Sequence, residues 1–222
     1  FPNIPVVLNR IDGHAIVVNS KVLQMAGITA KTKAEGGQIE LQNGEPTGIL
    51  IDNPMELVFK IIPKPSRKTQ IAALLDAEKV MFDYSLTTVN DAGLDTDIIH
   101  LIDSLQQAGK MKINVYAMIT ANQKNMDLYF KKGIYKTNQL NVRSFKMYGD
   151  GALGSRGACM HKPYSDSPKQ FGALLSPVPQ LKAVAQQIAN SPFQLNTHAI
   201  GDSANTVLLK IYKEVLTGKK DR

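Results

Sequence analysis

The chain of 222 residues contains one cysteine, no tryptophan and only 6% aromatic residues. A lone Cys159 excludes an internal disulfide framework, so stability has to come from buried apolar surface. No apolar run approaches the roughly 20 residues that a membrane-crossing helix requires, so no transmembrane helix and no membrane partner are expected. A dense basic block is also missing. The formal net charge is +7, but the lysines are dispersed (Lys60, Lys64, Lys68, Lys110, Lys112, Lys131, Lys132, Lys219, Lys220) and not interleaved with aromatics. A solvated basic surface accounts for this balance, and nucleic acid is not an expected partner. The sequence opens at Phe1 with neither an initiator methionine nor a signal-like segment and ends at Lys219-Lys220-Asp221-Arg222. Processing or a boundary within a longer chain would both give such ends, so they leave the compartment open, with the cytoplasm as the default expectation.

At 43% hydrophobic, the chain is long enough for one sizeable core or two small ones. Residues 1–65 read as a β-rich, irregular section. Ala15 to Val18 is a short apolar run, and Ser20 to Ala26 reads as a helix capped by Ser20 and ended by Gly27. Two extended runs around Asn43-Gly44 predict a hairpin with a primed turn. From Ser66 the pattern changes to helices alternating with strands at about 86–91, 113–120, 142–148 and 193–199. Ser66 is a natural N-cap for the first of those helices. This alternation predicts an α/β fold with a parallel sheet over residues 66–222. A closed eight-unit barrel takes about 250 residues, so four such units make either half a barrel or a small doubly wound sheet. The periodicity does not choose between them.

The stretch Val142 to Ala158, VRSFKMYGDGALGSRGA, concentrates the candidate chemistry. Gly149-Asp150-Gly151-Ala152-Leu153-Gly154 matches G-x-G-x-x-G after a strand, the first condition of a dinucleotide site. The second condition fails, because no helical period follows and Pro163 and Pro168 interrupt the segment. Lys146 near the end of this strand has two readings. It is either a solvent-facing lysine of an alternating strand, or a strand-end lysine with a lowered pKa acting as base, Schiff-base former or modified ligand. His198 ends the following strand and is either a satisfied structural histidine or a ligand. In a βα barrel the C-terminal strand ends share one face, where two such residues can meet in one site.

The segments KMYGDGALGSRGA, PYSD leading to FGALL, and THAIGDSAN resemble the amidohydrolase superfamily. The likeness is in particular to its family 3 branch of YtcJ-like and N-substituted-formamide-deformylase-like metal hydrolases. The earlier segments NRIDGHAIVVNSKVLQMAGI, GGQIELQNGEPTGIL and TTVNDAG are similar in the same order. The resemblance implies a partial (β/α)8 TIM barrel of about four to five units, with one or two divalent ions, usually zinc, and hydrolysis of carbon–nitrogen bonds in a small amide-type substrate. It implies that Lys146, carboxylated on its amine, and His198 are metal ligands. It also implies that His14 approaches the substrate, with turn stabilisation as the bland alternative. Asp150 and Arg156, flanking the glycine turn, are further substrate-side candidates, Asp150 either contacting the metal shell or bound water or serving as ordinary turn chemistry before glycine, and Asp202 reads as a helix cap.

The family's opening His-x-His pair, its sixth-strand histidine and its eighth-strand general-base aspartate have no counterpart in these residues. His100 falls on a helix and His161 in a loop. Two ligands are fewer than a zinc site needs, so the expectation is the central piece of a longer enzyme, inactive alone and dimeric or aggregation-prone through unpaired sheet edges. The rival readings are a Schiff-base lyase or aldolase using Lys146, and a small-molecule-binding α/β domain.

Overall fold

The computed structural model describes residues 1–33 and 35–219; Lys220 to Arg222 of the basic terminus lie outside the described residues. The chain forms two compact units. The first contains Phe1–Pro63, Tyr148–Lys182 and His198–Glu214; the second contains Lys64–Met147, Ala183–Thr197 and the residues from Val215 on. After leaving the first unit at Pro63, the chain re-enters it at Tyr148 and again at His198.

The first unit is built on an antiparallel sheet of β1 (Val7–Asn9), β2 (Ala15–Val18), β3 (Gly37–Gln42) and β4 (Glu45–Asp52), in the order β1-β2-β4-β3. Helices α1 (Ser20–Met25) and α2 (Met55–Phe59) accompany it. The β3–β4 hairpin turns at Asn43 and Gly44, both left-handed (φ 52° and 83°), which is the primed geometry the Asn-Gly pair predicts. The cap of α1 is Asn19 rather than the expected Ser20. The Asn19 carboxamide accepts from Val22 N and Val6 N while donating to the Phe1 and Ile4 carbonyls. A serine hydroxyl, with one proton, lacks the donors for that double tie. Ile16, Val18, Val22, Leu50, Met55 and Val58 form this unit's buried cluster.

The second unit carries the βα alternation: α3 (Arg67–Asp83), β5 (Thr88–Leu94), α4 (Thr96–Gln107), β6 (Asn114–Thr120), α5 (Gln123–Lys132), β7 (Tyr135–Lys136), β8 (Leu140–Tyr148), α6 (Val178–Ala189) and β9 (Gln194–His198). Strands β5, β6 and β8 pair in parallel, and β9 also pairs with β8. Strand β7, antiparallel to β8, has only two residues and so shows no periodicity from which sequence could predict it. A last helix, α7 (Asp202–Val215), starts back in the first unit.

Alternation along β6 buries Val115, Ala117 and Ile119, which pack with Ile99, Ile102 and Leu105 of α4 and with Val142 and Phe145 of β8. Phe145 stands at the centre of an aromatic cluster. Its ring is 5.1 Å from Phe193 and 5.5 Å from Phe130, both at steep angles. Each such fully buried side chain stabilises by roughly 1.5–3 kcal/mol relative to exposure. Between Tyr116 and Met118 of β6, strand β8 runs from Asn141 to Ser144, one residue longer. That bulge sets the register in which Lys146 faces Thr120.

One buried charge ties helix to sheet in this unit. The Glu78 side chain, on α3 and 8% exposed, accepts from the backbone N–H groups of Lys112 and Ile113 at 2.5 and 2.8 Å. Removing it strands two backbone donors, one of them buried, just before β6. Glu78→Ala is expected to lower stability by about 2–4 kcal/mol in urea unfolding, and a change below about 0.5 kcal/mol would show that water replaces the carboxylate.

Candidate functional site

Lys146 lies in the second unit, one residue before the chain crosses into the first. Its backbone carbonyl accepts from Ala121 N at 2.9 Å, so its position is set by main chain. The side chain is half-buried. Burial pushes the ammonium below the ordinary lysine value, because desolvation disfavours the charged form.

His198 ends β9 and belongs to the first unit. Its carbonyl accepts from Gly149 N at 2.8 Å. This approach is close enough that a Cβ on Gly149 would crowd both that carbonyl (2.9 Å) and the Leu208 side chain (2.7 Å). Glycine is therefore required here by contact. The His198 ring sits 5.6 Å from the ring of Tyr148 and 5.2 Å from that of His14. The first unit thus brings two of the candidate residues, His14 and His198, together.

Beneath His14 is a residue that sequence reading did not single out. Asp52 Oδ1 lies 2.7 Å from His14 Nδ1, and the Asp52 side chain is only 3% exposed. Burial pushes the Asp52 carboxyl upward, while the bond to His14 and the neighbouring charges of His14, Arg10 and His198 pull it back. The pairing arises because β2 and β4 are antiparallel with Ala15 opposite Ile51, which makes His14 and Asp52 the next facing pair. Asp52 N continues the ladder by donating to His14 O at 3.2 Å. The only sequence signal was the Ile51-Asp52-Asn53-Pro54 strand end, which does not reveal its partner.

Asp150 is fully buried, and its oxygens accept from Cys159 N (2.8 Å), Ile200 N (2.9 Å) and Gly201 N (2.8 Å). Its carboxylate is engaged by backbone, so it acts on the site by fixing the turn directly after His198. Arg156 is an exposed residue in the left-handed region (φ 57°), paired with Asp166 through Nε and Nη2 at 3.2 and 2.8 Å. That pair raises the guanidinium and lowers the carboxyl. Arg156 also lines a cavity of about 320 Å³ with Gln38, Asp52, Lys169 and Phe171. Asp202 accepts from Ser203 N and from His161 N, joining the start of α7 to the preceding loop. His161 Nε2 is 3.0 Å from Thr206 Oγ1, and His100 lies exposed on α4, so neither is drawn into this group.

Among the described residues, no three His, Cys, Asp or Glu side chains lie together as a metal ion would require. Lys146 and His198 fall in different units, and each by itself offers one donor, fewer than a closed metal site needs.

A family model described as the amidohydrolase family matches residues 1–222. The chain is 32% identical over its whole length to Protein LONG AFTER FAR-RED 3 of Arabidopsis thaliana, covering 40% of that protein. It is 30% identical, over 92% of its length and 40% of the relative, to the putative amidohydrolase YtcJ of Bacillus subtilis. The chain thus spans about two fifths of the length of these curated relatives. The fold is similar to a crystal structure of an uncharacterized metal-dependent hydrolase from Pyrococcus horikoshii. That match has TM-score 0.72 and 26% identity, covering 95% of this chain and 42% of that one. A second such structure, from Pyrococcus furiosus, matches with TM-score 0.71 at 24% identity, covering 95% and 44% of the two chains.

The shifted amine of Lys146 has a measurable consequence for metal-free protein. Between its lowered folded pKa and the ordinary lysine value, the unfolded chain holds a proton that the folded chain lacks. Stability contributed through this residue therefore rises with pH across that window. Comparing urea midpoints at about pH 8 and about pH 10, Lys146→Met is expected to show a smaller rise, or a larger fall, than the unaltered protein. Equal responses would mean that the folded amine titrates normally.

Proposed function

The chain belongs to the amidohydrolase family, and from that premise we propose that it is the central part of a metal-dependent hydrolase acting on carbon–nitrogen bonds of small amide-type substrates, N-substituted formamides among them. The observation that carries this reading is the family match over all 222 residues, together with a half-buried strand-end lysine with a lowered pKa and a histidine at the end of β9. The architecture we infer is a partial (β/α)8 barrel preceded by the β-rich section.

In this reading Lys146, carboxylated on its amine, and His198 hold a divalent ion, with zinc the expected metal. The bound ion supplies Lewis acidity toward a carbonyl oxygen and toward water. The remaining ligands and the general base come from outside these residues, so the 222 residues alone are inactive. The chain's own contribution is positional. Bulge and ladder place Lys146, Asp150 holds the turn after His198, and His14 and Arg156 stand on the substrate side. Burial lowers the Lys146 amine from its ordinary value, the direction that carboxylation needs because an ammonium has no lone pair to react.

The test is made on the full-length protein. Lys146→Ala and His198→Asn are each expected to lower metal content, and to lower amide hydrolysis by more than the roughly 10–100-fold typical of outer-shell partners. Normal metal occupancy and rate in Lys146→Ala would sink the assignment. Trapping of a carbonyl substrate on Lys146 by borohydride would favour Schiff-base chemistry instead, since a carbamate gives no such adduct.

A further inference from the structure

Asp52 concentrates several unfavourable features at one position. It is a non-glycine residue in the left-handed region (φ 55°), a conformation costing of order 1 kcal/mol that persists only when surroundings enforce it. Its carboxylate is almost completely removed from water. A Cβ built on either Gly151 or Gly157 would overlap that carboxylate, so two positions of the glycine turn are restricted by the space Asp52 occupies. Ending β4 and starting α2 requires none of this. What the arrangement achieves is a 2.7 Å contact with one chosen nitrogen of one histidine.

The chemistry of that contact is directional. An ionised carboxylate only accepts, so the hydrogen between Asp52 Oδ1 and His14 Nδ1 belongs to the ring. The second nitrogen, Nε2, faces away from the carboxylate and in the neutral ring carries a lone pair. The His14 ring is itself 16% exposed and packs 5.2 Å from His198. With Nδ1 held by the carboxylate, Nε2 is the ring's remaining hydrogen-bonding atom.

We propose that Asp52 is a positioning residue that fixes His14 as the Nδ1–H tautomer, so that His14 Nε2 accepts a hydrogen bond from an N–H group of the substrate, as in a secondary amide. The substrate half of this inference rests on the hydrolase reading; the tautomer half does not. It inverts the role that a carbonyl-polarising histidine would play, since polarising a carbonyl needs a donor at Nε2. It also selects substrates: an N,N-disubstituted amide has no hydrogen to offer.

The decisive measurement is long-range ¹⁵N–¹H correlation on histidine-labelled full-length protein. His14 is expected to show a protonated Nδ1 and an unprotonated Nε2, and the Nε2–H pattern would overturn the proposal. In Asp52→Asn the carboxamide can turn its N–H toward the ring, and the His14 spectrum is expected to move toward Nε2–H. An unmoved spectrum in a folded variant would also overturn it. Should that variant not fold, the unaltered protein's spectrum decides alone. In kinetics, Asp52→Asn is expected to lower kcat/KM about 10–100-fold for a secondary amide and markedly less for its N,N-disubstituted counterpart. Equal losses would overturn the N–H assignment. If the unaltered protein hydrolyses neither amide, the hydrolase reading and the N–H assignment fail together, and the spectra still decide what Asp52 does to His14.

Discussion

The carboxylate of Asp150 is the constraint on which the candidate site depends. It is out of contact with water and bonded to three backbone N–H groups, from Cys159, Ile200 and Gly201. Burying an anion is costly unless each oxygen is satisfied, and hydrogen bonds to a charged group contribute roughly 1.5–3 kcal/mol each. Three of them offset the desolvation and fix three points of main chain around one side chain. The turn leaving His198 and the loop reaching Cys159 are then no longer independent. Gly201 confirms how tight this is, since a Cβ there would overlap the Cys159 carbonyl. His198 is positioned by Asp150, two residues past the end of strand β8, as much as by its own strand.

The same device recurs with different targets. Glu78 uses a buried carboxylate to join α3 to the start of β6. Asp150 uses one to join two loops. Asp52 is the exception, because its acceptor is spent on a side chain, His14, and not on backbone amides. A carboxylate that satisfies backbone supports a shape. One that satisfies an imidazole sets the protonation pattern of a group able to exchange protons. This distinction separates the structural acids from the functional one without reference to where each lies in the sequence.

Much of the second unit was legible in the sequence because its signals are local. Alternating burial along β6 and the Ser66 cap each act within a few residues. Lys146 and His198 stood out for the same reason, being polar residues at the ends of apolar strands. Asp52 was not legible. Its role exists only through the pairing of β2 with β4, and the intervening helix and hairpin give no periodic hint of that register. Strand β7 and the bulge in β8 were hidden too, since two residues define no period and a bulge is a property of two strands together. The capping of α1 by Asn19 was missed because it depends on donors reaching back to the first residues of the chain.

The glycine turn after β8 has the spacing of a phosphate cradle, and its contents explain why it is not one. Its second residue, Asp150, already draws in the backbone amides of the surrounding loops, and the carboxylate of Asp52 lies against the α-carbons of Gly151 and Gly157. The turn therefore encloses two anions that are covalently part of the chain. A phosphate entering there would meet like charge at short range in a poorly hydrated setting, where repulsion is only weakly screened. A nest that in other proteins waits for a nucleotide is here permanently filled from within. The spacing of glycines records how closely a chain must approach an anion, and it is silent on whose anion that is.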